Sequence, residues 1–105
     1  MTIWEQRAYF EKTIKKMSDI MLSKGYDYAN EDRLSNFKLA GNIVGTGAEI
    51  NCLNLIATKV ARLGVLLNRQ NKKPNNESID DTLVDLANYS ILLSMLIHER
   101  STNGQ

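Results

Sequence analysis

Three stretches of this chain place apolar residues at intervals of three, four and seven, and that spacing does more than any other feature to limit what the chain can become. Ile3, Phe10, Ile14, Met17 and Met21 form the first stripe, and Ile50, Leu53, Ile56 or Ala57, Val60, Leu63 and Leu67 the second. Ile79, Leu83, Leu86, Ser90, Leu93 and Ile97 form the third, a heptad-like seam. A period near 3.6 gathers side chains on one face of a helix. The fold expected is therefore all-α.

Start and stop signals bracket these stripes. Thr2 with Glu5 and Thr46 with Glu49 are T-x-x-E capping pairs, and Ser78 is a good N-cap with Asp81 at the third helical position, where the helix dipole favours an acid. Gly25 is expected to close the first helix by taking a left-handed conformation. Leu34, Phe37, Leu39 and Ala40 supply one or two helical turns before Gly41, Gly45 and Gly47 break the chain again, and RQNKKPNNES, with the only proline at Pro74, reads as a solvated linker. The expectation is a small helical bundle of three long helices plus a short one. It forms a single domain over residues 1–100, followed by a flexible tail, 101–105.

At 105 residues the core is thin, since a domain of this size buries roughly 60 to 70% of the surface its unfolded chain exposes. Completion of the bundle by homo-oligomerisation is expected from that shortfall. Thirteen Lys and Arg against twelve Asp and Glu leave a formal charge of +1, which argues against extended nucleic acid as a partner while leaving room for a small phosphorylated ligand. The single cysteine, Cys52, excludes an intramolecular disulfide and reads as core or interface filling, and there is no Cys/His cluster of the kind that holds zinc. Glu5 and Arg7 interrupt MTIWEQRAYF where a signal peptide needs an apolar run, and no stretch is read as spanning a membrane. A cytoplasmic protein without a membrane partner is the expectation.

Several polar groupings carry possible chemistry. Glu77, Asp81 and Asp85 fall four apart on one side of the last helix, with Asn88 one turn further. Such a stripe is either a solvated, dipole-favoured start or a means of presenting carboxylates to Mg²⁺. Lys59 and Arg62, three apart on the middle helix, either pair with Asp81 or Asp85 or hold a phosphate. Lys24, Tyr26, Asp27, Tyr28, Asn30, Asp32, Arg33, Asn36 and Phe37 concentrate rings that can stack on a base, groups that can read its edge, and a cation for a phosphate; Lys38 adds a second cation. The alternative role for the tyrosines is packing over the end of the core. GNIVGTG lacks a phosphate-loop lysine and reads as a flexible connector, and His98 lies apart from every cluster in sequence.

Taken together, KGYDYANEDRLSNF, CLNLIATKVARLGVLL and NESIDDTLVDLANYSILL resemble the short all-α proteins of bacteriophages and their hosts called nucleotide-modification-associated domain proteins, over roughly Lys24 to Leu93. The resemblance implies a phage-type origin and a link to nucleotides. By position it implies roles for Lys24, Asp27, Tyr28, Lys59, Arg62, Asp81, Asp85, Asn88 and Tyr89. The last helix is also similar to MazG-type all-α nucleoside triphosphate pyrophosphohydrolases, which hold Mg²⁺ between acidic pairs on two helices. Here the middle helix offers only Glu49, then Lys59 and Arg62.

Three functions follow as expectations. The first is a nucleotide-binding protein that needs no cofactor and sequesters a nucleotide or cyclic-nucleotide immune signal without catalysis, using Lys24, Tyr26, Asp27, Tyr28, Arg33, Asn36, Lys59, Arg62, Asp81, Asp85, Asn88 and Tyr89. The second is a Mg²⁺-dependent pyrophosphohydrolase with Glu49, Glu77, Asp81 and Asp85 as metal ligands, assembled from two subunits. The third is a structural helical module that binds other proteins.

Overall fold

Thr2 starts the first helix: its Oγ1 accepts the Glu5 amide at 3.1 Å and its carbonyl accepts the Gln6 amide at 2.9 Å. From this cap the chain runs into α1, Ile3–Tyr28, of a computed structural model that describes residues 1–28, 32–69 and 76–102, without the side chains of 24–28 and 76–78. The helix passes through Gly25 and does not stop there. A glycine inside a helix costs only about 1 kcal/mol relative to alanine, which a helix already about six turns long at that point can absorb. Thr2→Ala should remove the cap at a cost of about 1 kcal/mol, accelerating hydrogen exchange of the first-turn amides by about fivefold. Because the first half of α1 is exposed, the effect should be local and the global melting temperature should move little.

Asp32 prepares the second helix. Its side chain accepts the Leu34 amide and its carbonyl accepts the Ser35 amide, both at 3.0 Å, and α2, Ser35–Val44, follows. Gly41 lies inside this helix, so it does not break the chain as its residue type suggests. The end comes at Gly45, in the left-handed region (φ 77°, ψ 13°), after which the amides of Thr46 and Gly47 both donate to the Gly41 carbonyl, at 3.1 and 3.2 Å. Gly47 then adopts φ 85°, ψ 166°, a conformation open to glycine almost alone, and α3, Ala48–Leu67, begins. The expected Thr46 cap is therefore displaced by one residue: Gly47 holds the N-cap position, without a side-chain hydrogen bond, because Thr46 is taken up in closing α2. The GNIVGTG segment is thus the end of α2, Gly41 to Val44, followed by a three-residue hydrogen-bonded turn, Gly45 to Gly47, in place of the expected flexible connector.

α4, Asn76–Thr102, starts two residues before Ser78 and takes in Ser101 and Thr102 of the expected tail. Linker residues 70–75 and residues 103–105 lie outside the described ones. Four helices, with no strand among the described residues, make the all-α bundle that the periodicity predicts. α3 and α4 share the most extensive packing, α2 lies on α3, and α1 lies on α4.

Leu34, Phe37, Cys52 and Leu96 form the buried centre, surrounded by Ala48, Leu55, Ile56, Tyr89, Leu92 and Leu93. Phe37 meets Tyr89 edge to face, with centroids 6.4 Å apart. Cys52 is completely buried, as a filling residue should be, and its thiol donates to the Tyr89 carbonyl at 3.4 Å.

Which faces turn inward differs from the stripes. On α1 only Met17 of the stripe is buried, while Ile3, Phe10 and Ile14 stay exposed. On α3 the inward residues are Cys52 and Leu66, with Ile56 and Leu63 half-buried, whereas Ile50, Leu53, Val60 and Leu67 face out. On α4 the inward residues are Thr82, Val84, Asn88 and Leu96, and Leu83, Ser90 and Ile97 are exposed. The reason is that α4 lies between α1 and α3, so the faces it must cover are set by two neighbours and not by one seam. α3 also corrects the reading on membranes: its 20 residues are, by length and composition alone, long and apolar enough to cross one.

Candidate functional site

A cleft of about 890 Å³ opens where α1, the start of α2 and α4 meet. Its walls are apolar: Ile20, Met21 and Leu22 from α1, Leu34 and Phe37 from the α2 region, Leu55 from α3, and Tyr89, Leu92 and Met95 from α4. The α4 contributions follow from helical spacing, since Asp85, Asn88, Tyr89, Leu92, Met95 and Glu99 recur at three- and four-residue steps along one side. Sites of this kind bind small molecules through apolar walls and a few well-placed polar groups.

Asn88 is the most informative of those polar groups. It is 6% exposed, and its Nδ2 donates to the Met17 carbonyl at 3.0 Å, bridging α4 to α1. Its Oδ1 is buried and has no hydrogen-bond partner among the described residues. Exchanging the two amide atoms would set oxygen against the Met17 carbonyl oxygen, so the oxygen must be the atom left over. A buried acceptor without a donor costs about 1 to 3 kcal/mol, and a ligand N–H or O–H would recover that cost.

Charged pairs border the apolar walls. Near the start of α2, the Lys38 ammonium bonds both Asp32, at 2.6 Å, and Glu99. The hydrogen bond from Lys38, followed by that from the Leu34 amide, holds the Asp32 carboxyl below its ordinary range. The same bond from Asp32's side, then that of Glu99, raises Lys38 above the ordinary lysine range. Arg33 donates to the Leu22 carbonyl at 3.0 Å and ties the α2 region to α1. Further along α4, Asp85 pairs with Lys59 at 3.1 Å, both side chains being mostly buried. Both lysines are thus engaged by carboxylates. The cleft offers an apolar slot, lined in part by Asn88 with its buried, unpartnered oxygen, rather than a free lysine grip.

Set against protein-family models, curated proteins and solved structures, the chain matches none.

The residues singled out by sequence divide into three groups. Arg33, Asn36, Asp85, Asn88 and Tyr89 come together on the cleft, and Lys59 reaches its border through Asp85. Arg62 and Asp81 stay apart from its lining: Arg62 is exposed on α3, and Asp81 pairs with Lys16 of α1 at 3.2 Å. The side chains of Lys24, Tyr26, Asp27, Tyr28 and Glu77, and all of Asn30, lie outside the described residues. Of the acids named for a metal, the described side chains of Glu49, Asp81 and Asp85 each meet a different cation. Glu49 pairs with Arg100 at 3.4 Å, and Lys59, the partner of Asp85, follows ten residues later on α3, about 15 Å away at the helical rise. Among the described residues no three of His, Cys, Asp and Glu are grouped.

Met21, Leu92, Met95, His98 and Glu99 also line the cleft, and sequence reasoning passed over them. The signal was present for part of the set: continuing the Asp85, Asn88 and Tyr89 face by whole turns reaches Leu92, Met95 and Glu99. His98 has a neighbour's position on that face but no sequence partner to mark it.

Proposed function

We propose that this chain binds a nucleoside or nucleotide by its base, without converting it. The single observation that carries the reading is that Asn88, lining an apolar cleft, holds a buried oxygen without a partner among the described residues. A nucleobase has a flat face for Tyr89 and the aliphatic walls and, on its edge, N–H groups suited to such an acceptor. The resemblance to nucleotide-associated phage proteins points to the same ligand class, and a cytoplasmic protein that holds a linear or cyclic nucleotide signal is the setting that fits it. Since Lys38 and Lys59 are already neutralised by Asp32, Glu99 and Asp85, base and sugar should contribute more to affinity than phosphate.

The experiment is a thermal-shift and calorimetric series with nucleosides, mono- and triphosphates and cyclic nucleotides, each in Mg²⁺ and in EDTA, followed by chromatography of the ligand. A bound ligand at a hundredfold excess over Kd should stabilise the fold by about 2.7 kcal/mol in either buffer and be recovered intact. A nucleoside and its monophosphate should bind within about tenfold of each other, a difference of about 1.4 kcal/mol. Asn88→Leu should weaken binding by about tenfold or more while the free protein keeps its stability to within about 1 kcal/mol, because the variant removes an unsatisfied oxygen and the Met17 carbonyl stays bonded within its helix. Conversion that depends on Mg²⁺ would replace this reading with the pyrophosphohydrolase. No shift with any compound would leave the helical interaction module.

A further inference from the structure

The most regular apolar stripe in the chain is one that its own fold leaves uncovered. Ile50, Leu53, Ala57, Val60, Gly64 and Leu67 alternate steps of three and four, the spacing of a helix seam that pairs with another helix. Ile50, Leu53, Val60 and Leu67 are 47, 49, 53 and 68% exposed, and a side chain added at Gly64 would meet open space. α3 meanwhile gives a different face, with Cys52 and Leu66, to the interior. It is apolar on two sides and satisfied on one.

The chain as a whole leaves more surface open than a self-contained monomer of its mass. The chain exposes 7961 Å², whereas a folded monomer of 11.9 kDa exposes about 6,000 Å². The excess of about 2,000 Å² belongs to the whole chain, the exposed first half of α1 included, and is ample for the roughly 800 Å² that each partner buries in a standard interface. The radius of gyration, 16.1 Å, likewise exceeds the roughly 13 Å of a self-contained domain of this length.

We infer that α3 pairs antiparallel with α3 of a second copy, about a two-fold axis between Ala57 and Val60. In that register Ile50 faces the partner's Leu67, Leu53 faces the partner's Gly64, and Ala57 faces the partner's Val60. Large side chains meet small ones in the inner layers, and the helix dipoles oppose. A parallel pair would set like against like and leave the Ala57 and Gly64 layers empty, forfeiting close packing. Lipid is the other apolar environment that α3 qualifies for by length. Its interior face, however, is committed to protein, with Lys59 held by Asp85, and a heptad alternating large with small residues fits a helix rather than acyl chains. The pairing is independent of what the cleft holds.

Sedimentation equilibrium of the whole chain should give twice the 11.9 kDa of one copy. Val60→Glu should return it to one copy with its far-UV circular dichroism unchanged, because it sets two carboxylates beside the axis. Val65→Glu, on an exposed α3 position off the seam, should leave the dimer intact. Mixing a Leu53→Cys chain with a Gly64→Cys chain under mild oxidation should give mainly the mixed disulfide, which reports the register even if Val60→Glu fails to fold. A single-copy mass at every concentration, a dimer that Val60→Glu leaves whole, like-with-like disulfides, or partition of a single copy into phosphatidylcholine vesicles would each overturn the pairing.

Discussion

Phe37→Ala should lower the stability of the fold by about 3 to 5 kcal/mol. The ring is 6% exposed, sits in the central cluster with Leu34, Cys52 and Leu96, and meets the edge of Tyr89. Removing it deletes the transfer free energy of a large side chain and leaves a cavity that rigid helices close only in part. The loss is large relative to the roughly 5 to 15 kcal/mol that separates a domain of this length from its unfolded ensemble. α2 has only ten residues and cannot persist on propensity alone, so its docking depends on this contact. Urea titration followed by circular dichroism is the direct measurement, with a thermal shift of roughly 15 °C or more expected. A midpoint close to that of the parent would show that Phe37 is not central to the core.

Gly41→Ala is the second, and its sign separates two readings. Helix propensity alone favours the substitution by about 1 kcal/mol, because Gly41 lies within α2 and alanine is the better helix former. The fold opposes it: a Cβ at this position would lie 2.4 Å from both the carbonyl carbon and oxygen of Gly47 and 2.7 Å from the Ala48 nitrogen. All three are backbone atoms, so relief requires α2 and the start of α3 to separate and cannot come from a rotamer change. The movement would also strain the hydrogen bonds that the Gly41 carbonyl accepts from Thr46 and Gly47. A net loss of about 2 to 3 kcal/mol is expected. Stabilisation, or no change in the thermal midpoint, would mean that the two helices do not cross at this glycine.

The same glycine shows where the sequence stops informing. Residue type says that glycine is permissive, but not whether the chain uses its access to positive φ, as at Gly45 and Gly47, or its missing side chain, as at Gly41. Helix class was legible because period and caps are local: Thr2 and Glu5 interact within one turn, as their spacing implies. Facing is not local. On α3 the Ile50 to Leu67 stripe and the Cys52, Ile56 and Leu66 set both satisfy a helical period, and which one the chain itself covers depends on where α2 and α4 lie. The site was legible to the extent that polar residues drew attention to it. Asp85 and Asn88 stood out at one-turn spacing, Tyr89 entered through the family resemblance, and Lys59 was open to Asp81 or Asp85, whereas the Met21, Leu92 and Met95 walls resembled any other apolar helix residues.

Cys52 gives this protein an internal clock. Its thiol is fully buried, engaged with the Tyr89 carbonyl, and pushed up from its ordinary pKa by burial, so an alkylating reagent in solution meets neither an accessible sulfur nor a ready thiolate. The chain has no other cysteine. Labelling therefore requires an excursion that exposes the sulfur, and its rate reads the open population of the native bundle, or the opening rate itself once reagent is concentrated enough to outpace reclosing, with no probe added.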